Sequence, residues 1–126
     1  MVPGEIPGEV LDFLSGHIDS IPELEALLIM SEHPSLAWSA ASLAVRIYVP
    51  EAQARGILES LDRRRLVSGD ESGYRFQPAS DAQRQLIGLV ATTYRSNLVT
   101  IANYIHRKAS ASVMEFARAF HLKKDH

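Results

Sequence analysis

Apolar residues recur along this chain in two rhythms, one helical and one extended, and their order predicts the architecture. Leu24, Leu27 and Leu28 fall at helical steps behind Ser20-Ile21-Pro22-Glu23. That tetrapeptide has the form of a capping box, in which the serine oxygen takes an orphan N–H and the glutamate reaches back. His33-Pro34 closes this first helix, because the residue before a proline avoids the α region. Ala37-Trp38 then leaves room only for a stub of strand. Ser39 caps a second short helix with Leu43, Ala44 and Ile47 inward, and Tyr48-Val49-Pro50 turns the chain into a third. There Ala54, Ile57, Leu58 and Leu61 make one apolar stripe.

The rhythm shortens after residue 65. Leu66-Val67-Ser68 and Tyr74-Arg75-Phe76-Gln77 flank Gly69-Asp70-Glu71-Ser72-Gly73, which predicts a β-hairpin around a five-residue loop. Tyr74 and Phe76 share one face of its second strand. Ser80-Asp81-Ala82-Gln83 is a second capping box and opens the longest pattern, Ile87, Val90, Tyr94, Leu98, Ile101 and Ile105, continuing to about Lys108. Ala109-Ser110-Ala111-Ser112 breaks it, and a final short helix carries Val113, Phe116, Ala119 and Phe120. Ahead of all this, residues 1–19 place Pro3, Gly4, Pro7, Gly8 and Gly16 around Val10, Leu11, Phe13 and Leu14. They read as a loose lead-in with one or two helical turns. The predicted organisation is therefore a lead-in (1–19), a domain of three helices and a hairpin (20–79), and a helical extension (80–126).

Helix, strand stub, helix, tight turn, helix, hairpin is the order of a winged helix-turn-helix. Residues 37–78 resemble winged-helix transcriptional regulators of the MarR and ArsR kinds. The stretches that carry the resemblance are Trp38-Ser39-Ala40-Ala41-Ser42-Leu43-Ala44, Ile57-Leu58-Glu59-Ser60-Leu61, Leu66-Val67 and Tyr74-Arg75-Phe76. The expected fold class is mainly α with a small β-wing, extended by a long C-terminal helix used for dimerisation.

The resemblance implies that the third helix lies in the major groove of duplex DNA, with residues near its N-terminus at base edges. Opposite the apolar stripe it carries Glu51, Gln53, Arg55 and Gly56. Gln53 is chemically suited to adenine and Arg55 to guanine or a phosphate. Arg63, Arg64 and Arg65 form the one dense basic run, Arg75 projects from the hairpin, and Ser39 and Ser42 stand where hydroxyls meet phosphates. The expected DNA-binding residues are thus Ser39, Ser42, Gln53, Arg55, Arg63, Arg64 and Arg75. The alternative for Gln53 and Arg55 is a solvated helix face, and for the arginines a complement to the helix's negative end. Two positions depart from the family pattern: Tyr48 and Arg65 stand where glycine is common. The wing tip carries Asp70 and Glu71 and the third helix begins with Glu51, acids that repel phosphates and suit a protein target.

Charge does not by itself announce DNA. Thirteen Lys and Arg stand against fifteen Asp and Glu, a net charge of −2. Residues 1–19 carry four acids and no base, and the excess of bases lies in 80–126. The chain holds no cysteine, which excludes disulfides, thiolate catalysis and cysteine-based zinc sites. Its five histidines include no pair at i, i+4, so no metal site is expected, nor any cofactor. No phosphate-cradling glycine motif or nucleophile elbow is present, and enzymatic activity is not expected. The lack of an apolar run of roughly 18 residues, or of a basic N-terminal region, gives the expectation of a cytoplasmic protein without membrane contact. The apolar face of the long helix is broad enough to serve two partners, which points to dimerisation, with packing on its own domain alone as the alternative. Leu86, Val90, Tyr94, Leu98, Ile101 and Ile105 are the expected homodimer residues. Trp38, Tyr94 and Tyr104 are candidates for an effector pocket, against the commoner role of aromatics as core.

Overall fold

The computed structural model describes residues 6–108. These are mainly helical, with one small antiparallel sheet: α1 (Gly8–His17), α2 (Ile21–Glu32), α3 (Ala40–Ile47), α4 (Glu51–Arg63), β1 (Val67–Asp70), β2 (Gly73–Phe76) and α5 (Asp81–Ser96), then a further helical stretch over 98–108. The final helix expected after Ser112 lies outside the described residues. No helix among the described residues is long and apolar enough to cross a membrane.

Local chemistry sets most boundaries. Ser20 Oγ accepts from Glu23 N, and Ser39 and Ser42 form a reciprocal box in which each side chain accepts the other's backbone N–H, at 3.0 and 2.9 Å. At α5, Ser80 Oγ accepts from Gln83 N while Gln83 Oε1 reaches one residue further back, to Ala79 N. Residues 8–17 are more regular than a loose lead-in. Val10, Phe13 and Leu14 occur at i, i+3 and i+4, and burying all three makes α1 a ten-residue helix packed on α5.

One core holds these elements together. Leu24, Leu27 and Met30 of α2, Leu43 and Ile47 of α3, and Leu58 and Leu61 of α4 meet Leu66 and Phe76 from the hairpin and Ile87 from α5. The stripe predicted on α4 is therefore the side by which it is fixed to the molecule.

The hairpin is tighter than expected. Val67 pairs with Phe76, Ser68 with Arg75, Gly69 with Tyr74 and Asp70 with Gly73, leaving Glu71 and Ser72 as the whole loop. The Asp70 carboxylate explains the extra pairing, because it accepts from Ser72 N and Ser72 Oγ and so builds the turn locally. Trp38 joins the free edge of β2. Its N–H donates to Tyr74 O at 2.7 Å, and Tyr74 N–H donates back at 2.9 Å. Gly73 (φ 128°) is forced by this junction, since a Cβ there would lie 2.7 Å from Trp38 O.

The long helix expected through Lys108 is interrupted at Asn97, whose φ/ψ of −141°/43° is not helical. Its side-chain amide donates to Thr93 O, and its own carbonyl accepts from Ile101 N to begin the next segment. Asparagine satisfies both chain ends through its own groups, so the break costs little. The change of direction turns Ile101 and Ile105 into the core.

Both departures from glycine are held in the left-handed region, Tyr48 at φ 60° and Arg65 at φ 62°. That conformation costs an L-residue roughly 1–2 kcal/mol. The turns keep the geometry for which glycine is the easier choice, and the chain tolerates the strain.

Candidate nucleic-acid interface

α4 is gripped along one side by α2, α3 and β1, which leaves Glu51, Ala52, Gln53, Arg55, Gly56, Glu59, Asp62 and Arg63 exposed on the other. Gln53, expected at a base edge, stands in solvent here. Arg55 lies 3.6 Å from Glu51, an exposed i, i+4 pair of a kind worth well under 1 kcal/mol and easily exchanged. Gly56 faces open space, with nothing within 4 Å of a Cβ built on it.

The other predicted residues divide. Ser39 and Ser42 are exposed but spend their hydroxyls on each other and on the α3 cap. Arg63 and Arg65 are exposed. Arg75 donates to Asp70 Oδ2 at 3.1 Å and to Ser72 Oγ at 3.3 Å. These contacts make Asp70 part of the hairpin turn as well as a charge at its tip. The hydrogen bonds from the Ser72 hydroxyl and N–H hold its carboxyl below the usual carboxylate range.

Arg64 is placed elsewhere. Its guanidinium turns to the α1–α2 junction, 2.6 Å from Asp19 Oδ2 and 3.4 Å from Gly16 O. It is also 4.0 Å from the carboxylate of Glu23, a buried side chain. Lys108 closes the cluster, with Nζ donating to Leu14 O, Ile18 O and Asp19 Oδ1. This corrects the expectation that Arg64 meets phosphate, because its donors are committed to the body of the protein. Burial alone would raise the Asp19 pKa, but Lys108 and Arg64 outweigh it and hold the carboxyl low. Burial raises that of Glu23 against the opposing charge of Arg64.

The Arg64→Ala variant is therefore expected to lose about 1 kcal/mol of stability at neutral pH, because its hydrogen bonds are charge-assisted but Asp19 is largely solvent-exposed and the pair is screened. Asp19, with its lowered pKa, contributes stability that is present above its ordinary value and lost as pH falls through the folded one. Glu23, with its raised pKa, works in the opposite sense, and deleting Arg64 raises it further. Urea titrations of wild type and variant should thus show a gap at pH 7 that narrows toward pH 4 and below. A constant gap would contradict the assignment.

Across α3, α4 and the hairpin, charges on the outer surface balance. Arg46, Arg55, Arg63, Arg65 and Arg75 stand against Glu51, Glu59, Asp62, Asp70 and Glu71, five of each sign. Two features were missed in the sequence. Val45 and Tyr48 are 76% and 93% exposed, on the outer side of α3 and in the turn before α4. Their signal was geometric: inward Leu43, Ala44 and Ile47 send Val45 outward.

The expected dimer face is largely consumed by the chain itself. Val90, Ile101 and Ile105 have no exposed surface, and Leu86 and Tyr94 are half-buried. Leu98 and the adjacent Val99 remain open, at 53% and 72% exposure. Leu98 borders a groove of about 280 Å³ with Leu28, Ile29 and Tyr94, rimmed by Glu25 and the ion-paired Glu32 and Arg95. The three aromatics considered for an effector pocket each have a different partner. Trp38 is bridged to Tyr74, Tyr104 O–H donates to Leu11 O, and Tyr94 O–H donates to Glu25. Among the described residues no group of three or more His, Cys, Asp or Glu is placed to hold a metal ion.

No family model matches the chain, and no curated protein or solved structure matches it either.

Proposed function

We propose that residues 20–79 form a winged helix, with β1–β2 as the wing, and that the protein is a DNA-binding transcriptional regulator that reads duplex DNA with α4 as a homodimer. One observation carries the reading. α4 is fixed by its apolar stripe, while no side chain on its outer face hydrogen-bonds or ion-pairs to another element among the described residues. Gln53 and Arg55 are offered near its start, the position from which a recognition helix reaches base edges. Gly56 supports it, because the absent side chain lets the helix backbone approach a groove floor closely. Exposed Leu98 and Val99 are the apolar surface left for a second copy.

A second reading, a winged-helix adaptor that docks a protein, is favoured by the charge balance. DNA is gripped by uncompensated Lys and Arg that neutralise phosphates and release their condensed counterions, and five acids on this face cancel five arginines.

Titration of labelled duplex DNA at two salt concentrations separates the two. On the DNA reading, wild type binds near 50 mM salt and weakens by 200 mM. Arg55→Ala should then cost about 1–3 kcal/mol on a selected site and relax one base-pair preference. Glu71→Lys should strengthen binding to all sequences, and it is the cleaner wing variant because Asp70 also builds the turn. Absence of wild-type binding even near 50 mM salt, where phosphate contacts are strongest, would give the function to the adaptor.

A further inference from the structure

Tyr48 makes no intramolecular use of its side chain. It ends α3 in the left-handed conformation, at φ 60° and ψ 50°, and its ring is 93% exposed. The backbone does all the structural work there: Tyr48 N–H and Val49 N–H both donate to Ala44 O. Glycine would make the same bonds without the steric penalty. A residue both strained and unburied is held against the interest of the fold, and such outliers point toward function.

Its surroundings narrow what it touches. Val45 stands one turn earlier on α3, 76% exposed, and Arg46 lies exposed between them in sequence. Pro50 follows two residues later, and the exposed face of α4 begins at Glu51 with Gln53 beyond it. A phenol O–H donor, a guanidinium and a small apolar patch thus flank the start of the reading helix. That set matches one repeat of a nucleic-acid backbone: a phosphate to receive the hydrogen bond and the positive charge, and a deoxyribose for the ring and the valine methyls.

We propose that Tyr48 is a backbone anchor for duplex DNA, its hydroxyl donating to a phosphate that flanks the bases read by α4, with Val45 against the adjoining sugar. The proposal rests on the DNA reading above and assigns a contact outside the predicted set.

The test uses full-length protein, a labelled random-sequence duplex at low salt, and thermal melting of each variant. Tyr48→Gly should melt higher by about 4 °C, because strain is relieved, yet bind DNA about tenfold more weakly. Tyr48→Phe, which keeps the ring and loses the donor, should melt as wild type and bind about threefold more weakly. Neither variant changes the slope of affinity against salt, since no charge is removed. Unchanged binding by Tyr48→Gly, while wild type binds, overturns the anchor and leaves the DNA reading standing. A lowered melting point for Tyr48→Phe also overturns it, because the hydroxyl would then serve the fold. Failure of wild type to bind the duplex removes the DNA reading and the anchor with it.

Discussion

Replacing Gly73 with alanine is expected to destabilise the protein by about 3 kcal/mol, from left-handed backbone strain and the loss of a strand contact together. At φ 128° the residue occupies a region that is nearly closed to side chains. The new methyl would also point at backbone, 2.7 Å from Trp38 O and 3.1 Å from Trp38 C. Neither atom can swing aside as the end of a flexible side chain would. Relief requires moving Trp38 away from β2, which breaks the paired bonds between Trp38 and Tyr74. Gly69, one register step inward, offers a contrast. A Cβ there would meet the ring of Tyr74 at 2.7 Å, and a ring can rotate, so Gly69→Ala should cost less than Gly73→Ala. Chemical denaturation of both variants followed by circular dichroism checks the order. The account fails if the two cost the same, or if Gly69→Ala costs more.

Truncating Trp38 to alanine should cost about 3–5 kcal/mol, the range for emptying a buried aromatic site. Trp38 is 8% exposed and joins the α2–α3 connection to the hairpin. Its loss should therefore loosen the hairpin as well as the core. The indole N–H adds a second arm to the prediction. Trp38 Nε1 is buried with no hydrogen-bond partner, so deleting it removes a desolvated donor and forfeits no bond. Trp38→Phe should consequently lose less than about 1.5 kcal/mol. Comparable losses for Phe and Ala would show that the indole nitrogen carries the site. Hydrogen exchange should show faster opening of the β1–β2 amides in Trp38→Ala than in Trp38→Phe.

Arg64 and Arg55 show how far a side chain's role is written in sequence. Both are arginines on one predicted helix, and both were placed on the DNA face. Helical periodicity placed Arg55 on the exposed side of α4, because eight residues of regular helix separate it from the C-cap and the stripe fixes which way it points. Arg64 is itself the C-cap, with φ/ψ of −86°/2°, and Arg65 reverses the chain behind it. Where a helix ends, the direction of a side chain is set by what lies nearest in space. For Arg64 that is Asp19, forty-five residues earlier in the chain.

By itself, the amino-acid sequence determined the local elements: the capped starts of α2, α3 and α5, the proline-limited end of α2, the stripe that fixes α4, and the hairpin's existence and facing. Each of these depends on residues within about four positions of one another, the span over which caps, turns and helical neighbours act. Tertiary structure alone decided the rest. It decided that α1 is a packed helix, because its apolar triad needed α5 to bury against. It decided that the long helix bends at Asn97 so that Ile101 and Ile105 enter the core, which leaves only Leu98 and Val99 of the expected dimer residues and their neighbours widely exposed. It decided that Arg64 and Lys108 meet Asp19, and that Tyr48 projects bare beside α4. These outcomes turn on burial and charge pairing between segments far apart in the chain, and no periodicity encodes which distant segment arrives.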